Sequence, residues 1–124
     1  MNKWLEIHQK ACQAIIDGCD SQIKAGNYVE HMEACRDMWA WLLDNPGRSK
    51  TEYIKTILFG DQRLFGPYEC AACVAVNVDC DVCPLKEVWG EAVTCLNGAE
   101  TPYALWRTAI FWLRMAALRE VGVC

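Results

Sequence analysis

The chain has almost no histidine and no excess of positive charge. Its 124 residues include two histidines, His8 and His31, and both lie far upstream of the cysteine-rich part. Twelve Lys and Arg face 16 Asp and Glu, for a net charge of −4. A protein that binds nucleic acid through its overall electrostatic field is usually basic. The composition therefore argues against nucleic acid as the partner, and a hydrolytic zinc site built on histidine has no local support.

Long apolar runs are missing as well, and we expect no secretory leader. No run approaches the roughly 18 residues of a membrane span. Charged residues lie within Met1–Glu6, where a secretory signal would have its apolar core. We therefore expect a cytoplasmic protein that does not bind membranes. The sequence also has no Gly-rich phosphate loop and no suggestive Cys–His spacing, so it gives no indication of an enzyme.

Cysteine, by contrast, is abundant, with nine residues in the chain. Cys70 and Cys73 form one Cys-x-x-Cys pair, and Cys80 and Cys83 form a second pair shortly after it. Two such pairs can supply four thiolates to a tetrahedral zinc ion and leave no open coordination position. We therefore expect one structural zinc ion per chain, bound by these four residues. Cys95 is a spare thiol that could replace one of them.

Two alternatives to zinc remain open. An iron–sulfur cluster also takes four thiolates, although its common ligand spacings differ from these. A disulfide framework suits a cysteine-rich secreted chain, but the number here is odd, and Cys12, Cys19 and Cys35 lie within helical patterns. That distribution favours a reducing compartment. A redox-active Cys-x-x-Cys pair would need a strand-to-helix context, which the pattern does not indicate.

The length fits one mainly α-helical domain, residues 1–124, that can bury a sizeable core. We expect a helical part over 1–59, a loop-rich metal knuckle over 60–100, and an apolar C-terminal core helix over 101–121. Within the knuckle, alternating valines over 74–78 suggest a short extended piece. The knuckle is the part that needs zinc, because it has little regular structure of its own.

Apolar residues at three- and four-residue spacing predict helices over 3–25 and 27–44, which should pack as an antiparallel hairpin. Asn27 is the predicted N-cap of the second helix. Gly18 is a weak point in the first helix. His8 lies on its apolar face, where we expect a residue at the edge of the core rather than a metal ligand.

Capping signals predict where two further helices begin. Ser49 and Glu52 fit a capping box and should start a short helix that runs to about Phe59. Thr101, followed by proline, should start the last helix, which is apolar on most sides. Such a helix is either central to the core or carries a patch for another chain, and the core is the favoured role because three preceding helices need a surface to pack on. Residues 85–89 should form a helical turn behind the second cysteine pair.

The order of elements from Cys70 onward resembles that of a family of small bacteriophage proteins. The family has two Cys-x-x-Cys pairs, the second running into Pro-Leu, then a later Cys, then Ser/Thr-Pro-Tyr before a helix with a Trp. Here these elements are Cys70/Cys73, Cys80-Asp-Val-Cys83-Pro84-Leu85, Cys95 and Thr101-Pro102-Tyr103-Ala-Leu-Trp106. The resemblance covers about residues 68–110. It implies a zinc-binding knuckle in a phage protein that works in the host cytoplasm, but no particular activity.

The leading functional hypothesis is a zinc-stabilised helical module that binds and modulates a host protein, with inhibition of a host defence system as one such role. Six Trp and four Tyr support it, because these residues are favoured at protein interfaces. A homodimer is compatible with this hypothesis.

Two alternatives come from other classes of function. Zinc knuckles also bind single-stranded nucleic acid, but Lys86 is the one cation beside four flanking carboxylates: Glu69, Asp79, Asp81 and Glu87. A small ligand such as a nucleotide could instead lie between the hairpin and the last helix, in a cleft lined by Trp39, Trp41 and Trp106. Aromatic residues at helical spacing are more often part of the core.

Overall fold

The structure, a computed structural model, describes residues 3–66, 69–76, 83–89 and 101–120, with the backbone alone at 87, 89 and 116–120. The elements in chain order are α1 (Lys3–Lys24), α2 (Val29–Asp44), α3 (Lys50–Thr56), α4 (Ala71–Ala75), a 3-10 helix (Lys86–Trp89) and α5 (Pro102–Glu120). No strand occurs within these ranges, which confirms the mainly α-helical class. None of the helices described here has the length and apolar character needed to cross a membrane.

The predicted pairing of the first two helices is confirmed, since α1 and α2 pack against each other. Their fully buried side chains recur at helical spacing and form the centre of the core: Ile15, Cys19, Met32, Met38 and Leu42. His8 lies deeper than the predicted core edge, with no exposed surface and with Nε2 3.3 Å from the carbonyl oxygen of Leu43. One face of each helix therefore supplies the apolar surface on which the other elements pack.

The predicted N-cap of α2 at Asn27 is wrong. The helix begins at Val29, and Tyr28 is the N-cap residue, with φ 50° and ψ 44° in the left-handed region. Asn27 belongs to the end of α1 instead: its backbone N–H donates to the Gln22 carbonyl at 2.9 Å, and its side-chain amide donates to Gln22 Oε1 at 3.2 Å. The asparagine is therefore satisfied by the preceding helix and does not cap the next one.

The two other predicted helix starts are confirmed. The Glu52 N–H donates to Ser49 Oγ at 3.1 Å, and the Ala104 N–H donates to Thr101 Oγ1 at 3.2 Å. The end of α3 differs from the prediction, because the helix stops at Thr56 and Phe59 has φ 52°. These caps fix where α3 and α5 enter the core.

The extended piece expected over 74–78 is wrong for the residues that the structure describes. Ala71–Ala75 form α4, and Val76 is its C-cap. Ala71 and Ala72 are completely buried in a helix that packs on α2. Two small side chains let this short helix approach α2 closely, and that burial outweighs the extended preference of the valines.

The last helix is only partly a core element. Trp106 and Ala109 are buried, and Trp106 meets Trp39 of α2 edge to face with ring centroids 4.9 Å apart. One turn later, Phe111 and Trp112 are 56% and 43% exposed. The favoured expectation of a central core helix is therefore wrong for this part of α5, and among the described elements α5 packs mainly on α1.

Candidate functional site

The first cysteine pair lies at the start of α4. Cys70 is the N-cap residue, with extended backbone (φ −139°, ψ 108°), and Cys73 follows one turn later. The Val74 N–H donates to the Cys70 carbonyl at 3.2 Å, which closes that turn. A Cys-x-x-Cys sequence at a helix N-terminus brings both sulfurs to the same end of the helix, as two ligands of one metal ion require.

This position stabilises a thiolate at Cys70. The pKa of Cys70 is lowered to about 6, chiefly by the hydrogen bond from the Cys73 side chain. The backbone N–H groups of Cys73 and Ala72 and the charge of Lys50 lower it as well, whereas burial raises it. The thiolate is the form that binds zinc. The donor chemistry at this pair therefore fits a thiolate-bound metal.

The cation that faces Cys70 was not evident from the sequence. Lys50 is 7% exposed, and its Nζ lies 4.5 Å from the centre of the Tyr103 ring. It follows the N-cap Ser49, where a lysine normally points into solvent, and the local pattern carries no signal of its burial. Lys50 therefore connects α3, α5 and the first cysteine pair electrostatically.

The second pair is described only in part. Cys83 is half-buried and directly precedes the turn into the 3-10 helix, whereas Cys80 and Cys95 lie outside the described residues. In the part of the chain that the structure describes, no three His, Cys, Asp or Glu side chains converge as a metal site would require. The structure thus brings Cys70 and Cys73 together, and the four-cysteine zinc site stays a prediction.

The cysteines of the N-terminal helices differ from Cys70 in their surroundings and in their pKa values. Cys12, Cys19 and Cys35 are buried. Burial raises the pKa of Cys12 to about 12. A hydrogen bond with Cys19, together with burial, raises the pKa of Cys35 well above its ordinary value. These three side chains act as small apolar core residues, and the raised pKa values of Cys12 and Cys35 keep those two thiols protonated, unlike Cys70.

A group of aromatic side chains lies at the surface where α1 meets α5. The Trp4 ring stacks on Trp112, with centroids 5.8 Å apart and planes 14° apart, and Phe111 meets Trp112 edge to face at 5.2 Å. Lys3 Nζ lies 5.0 Å from the Trp4 ring centre. We call Trp4, Phe111 and Trp112 the aromatic surface. An apolar patch on the C-terminal helix was the less favoured of the two roles that the sequence allowed, and nothing in the sequence indicated that Trp4 belongs to it.

The three tryptophans proposed to line a ligand cleft pack against other aromatic side chains. Trp39 and Trp106 are 5% and 3% exposed and contact each other in the core. Trp41 tilts against Tyr53 with ring centroids 5.5 Å apart. Trp39 and Trp106 therefore fill the space between the hairpin and the last helix instead of lining a cleft there.

Comparison of the chain with family models, with curated proteins and with solved structures found no match. The resemblance to small bacteriophage proteins therefore stays a prediction.

Proposed function

We propose that this protein is a zinc-stabilised helical module that binds another protein through the aromatic surface. The observation that carries this proposal is a mutually packed trio of aromatic rings, in which Phe111 and Trp112 are exposed and Trp4 is half-buried. The rings hold one another in fixed positions, so little side-chain freedom is lost when a partner covers them. Rigid, amphipathic aromatic side chains of this kind are enriched among the residues that dominate binding energy at interfaces.

Zinc has a structural role in this proposal. Cys70, Cys73, Cys80 and Cys83 hold the ion, and Cys70 fits the role because its surroundings favour the thiolate. When bound, the ion supplies folding free energy to the segment 60–100, for which the sequence predicts little regular structure. The four thiolates leave no open position for substrate or water, so we assign the ion no catalytic step.

The resemblance to bacteriophage proteins makes a host protein the expected partner, in the host cytoplasm. Binding that partner would modulate its activity, and inhibition of a host defence protein is one form that this modulation takes. A second copy of the same chain is the competing occupant of the aromatic surface. The molar mass of the protein in solution distinguishes these two cases, because a second copy on the aromatic surface would make the protein a dimer.

The test compares partner capture by the intact protein and by two variants. Trp112→Ser removes the centre of the aromatic surface and should abolish capture from a host extract. Tyr28→Asn is the matched control: Tyr28 is 47% exposed, close to the 43% of Trp112, and asparagine tolerates its left-handed backbone. Capture should survive in this control.

Two outcomes would contradict the proposal. Equal capture by the intact protein and Trp112→Ser would mean that the aromatic surface does not bind the partner. Light scattering behind size exclusion that shows a dimer, dissociated by Trp112→Ser, would mean that a second copy covers the surface instead. Circular dichroism of each variant checks that the helices are retained.

A further inference from the structure

A cleft with an apolar floor and a negatively charged rim lies between α2 and the chain that follows α3. Its volume is about 360 Å³, which falls in the range of sites that hold a small molecule or an inserted side chain. The lining residues are Glu30, Ala34, Asp37, Tyr53, Leu58, Asp61, Arg63, Leu64 and Phe65. We call this the acidic cleft. It shares no residue with the aromatic surface or with the cysteine pairs.

The floor of the acidic cleft is aromatic and rigid. Tyr53 and Phe65 are 5% and 3% exposed, and their rings meet edge to face with centroids 6.3 Å apart. Leu58 and Leu64 are half-buried beside them. Such a floor suits a group that combines an apolar stem with a flat, weakly hydrated head.

The rim has an excess of negative charge. Arg63 is already paired, with its Nε and Nη2 donating to the Asp61 carboxylate at 2.9 and 2.8 Å. The two other carboxylates of the rim are those of Glu30 and Asp37. No ion pair of Glu30 is found among the described residues, and Asp37 has an exposed contact with Arg36 at 3.4 Å, a kind of pair that is weak in water.

The charge of Asp37 also acts on Tyr53 in the floor of the cleft. Burial raises the pKa of the Tyr53 hydroxyl, and the Asp37 carboxylate raises it further. A carboxylate that perturbs a buried phenol is close enough to act on a cation lying over the same ring. The floor and the rim therefore favour the same kind of ligand.

From this complementarity we infer that the acidic cleft binds an arginine side chain presented by a partner polypeptide. The guanidinium lies against the Tyr53 and Phe65 rings, and its planar donors reach the carboxylates of Glu30 and Asp37. Its methylene stem covers Leu58. Arginine suits this site better than lysine because its head is flat and loses less hydration when buried.

The end of α3 indicates a polypeptide and not a free cation. Ile57 and Phe59 flank the cleft residue Leu58, and they are 44% and 91% exposed. Phe59 presents its ring to solvent from a left-handed backbone (φ 52°). These apolar side chains offer contacts to the residues on either side of an inserted arginine, which a small polyamine would leave unused.

The test is an NMR titration of the full chain with small probes. N-acetyl-arginine amide should shift the amide signals of Ala34, Leu58 and Leu64, with an affinity in the millimolar range expected for one side chain. N-acetyl-citrulline amide has nearly the same shape without the charge, and should bind at least about tenfold more weakly, because the charged hydrogen bonds are lost. A capped peptide with leucine on both sides of the arginine should bind more tightly than the free amide.

Two substitutions locate the binding. Asp37→Asn together with Glu30→Gln should weaken arginine binding by about tenfold or more, since both charged partners are lost. Glu33→Gln is the matched control, because Glu33 is an exposed carboxylate on the same helix that does not line the cleft. It should leave the affinity unchanged.

Three results would overturn the inference. The first is an absence of cleft shifts at about 10 mM arginine amide, the upper end of the expected millimolar range. The second is equal binding of the arginine and citrulline probes, which would leave charge without a role. The third is spermidine binding more tightly than the leucine-flanked peptide, which would assign the cleft to a small polyamine.

Discussion

Gly18 of α1 lies directly against Val88 of the 3-10 helix. A Cβ atom added to Gly18 would lie 2.3 Å from Val88 Cγ2 and 3.3 Å from Leu85 Cδ2, and the first distance is far shorter than two carbon atoms allow. The helix-weakening glycine noted in the sequence is therefore the point where the chain after Cys83 docks on the helical hairpin. This contact positions one end of the predicted zinc segment.

The first prediction concerns this close approach. Gly18→Ala should improve the helix propensity of α1 by about 1 kcal/mol, yet destabilise the protein by about 1–3 kcal/mol because of overpacking against Val88. Thermal unfolding should therefore show a lower Tm. The double variant Gly18→Ala with Val88→Ala should recover much of the loss, since the second substitution removes the clashing methyl group. A higher Tm for Gly18→Ala alone would show that the 3-10 helix does not dock there.

The second prediction concerns the buried histidine. Burial lowers the pKa of His8 below 6.5, and the backbone hydrogen bonds to Leu43 and Leu42 only partly offset this. The unfolded chain therefore binds a proton at a pH where the native chain does not. The stability that His8 contributes is complete above pH 6.5 and is lost as the pH falls below it, by at most about 1.4 kcal/mol per pH unit.

Urea unfolding at pH 7 and pH 5.5 measures this effect. His8→Gln should make the difference in unfolding free energy between the two pH values smaller. His31→Gln is the matched control, because His31 is only half-buried, and it should retain the pH dependence of the unchanged protein. If His8→Gln kept the full pH dependence, the histidine would not be held neutral in the core.

The third prediction concerns the lysine that faces the first cysteine pair. Lys50→Met removes a positive charge that lowers the pKa of Cys70. The thiolate fraction at pH 7 should fall, and Cys70 should react more slowly with iodoacetamide in the metal-free protein. Peptide mapping by mass spectrometry gives the rate. Lys55→Met, at an exposed position on the same helix, is the control and should leave the rate unchanged. Equal slowing by both variants would mean that Lys50 does not specifically lower the pKa of Cys70.

Local signals in the sequence predicted the long helices α1, α2 and α5 and the starts of α3 and α5. The capping bonds of Ser49 and Thr101 depend on residues three positions away, so the sequence alone reveals them. The burial of Lys50 depends on α5, more than 50 positions later, and no local pattern contains that information. The exposure of Trp112 has the same origin, because an apolar helix does not indicate which of its sides will find a partner.

The short helix at Ala71–Ala75 shows a second limit. Val74 within it and Val76 at its C-cap favour extended backbone, and the burial of Ala71 and Ala72 against α2 favours the helix instead. Of the candidate site, the pairing of Cys70 with Cys73 follows from spacing. The lowered pKa of Cys70 does not, since it needs both the helix N-terminus and Lys50.

The zinc site is tested by the metal content of protein purified without added metal, measured by elemental analysis together with native mass spectrometry. We expect one zinc ion per chain, retained by Cys12→Ser and Cys124→Ser and lost from Cys73→Ser and Cys83→Ser, with loss of order in the segment 60–100. A metal-free chain whose mass is lower by pairs of hydrogens would contradict this expectation in favour of disulfides. Iron in place of zinc would contradict it in favour of a cluster.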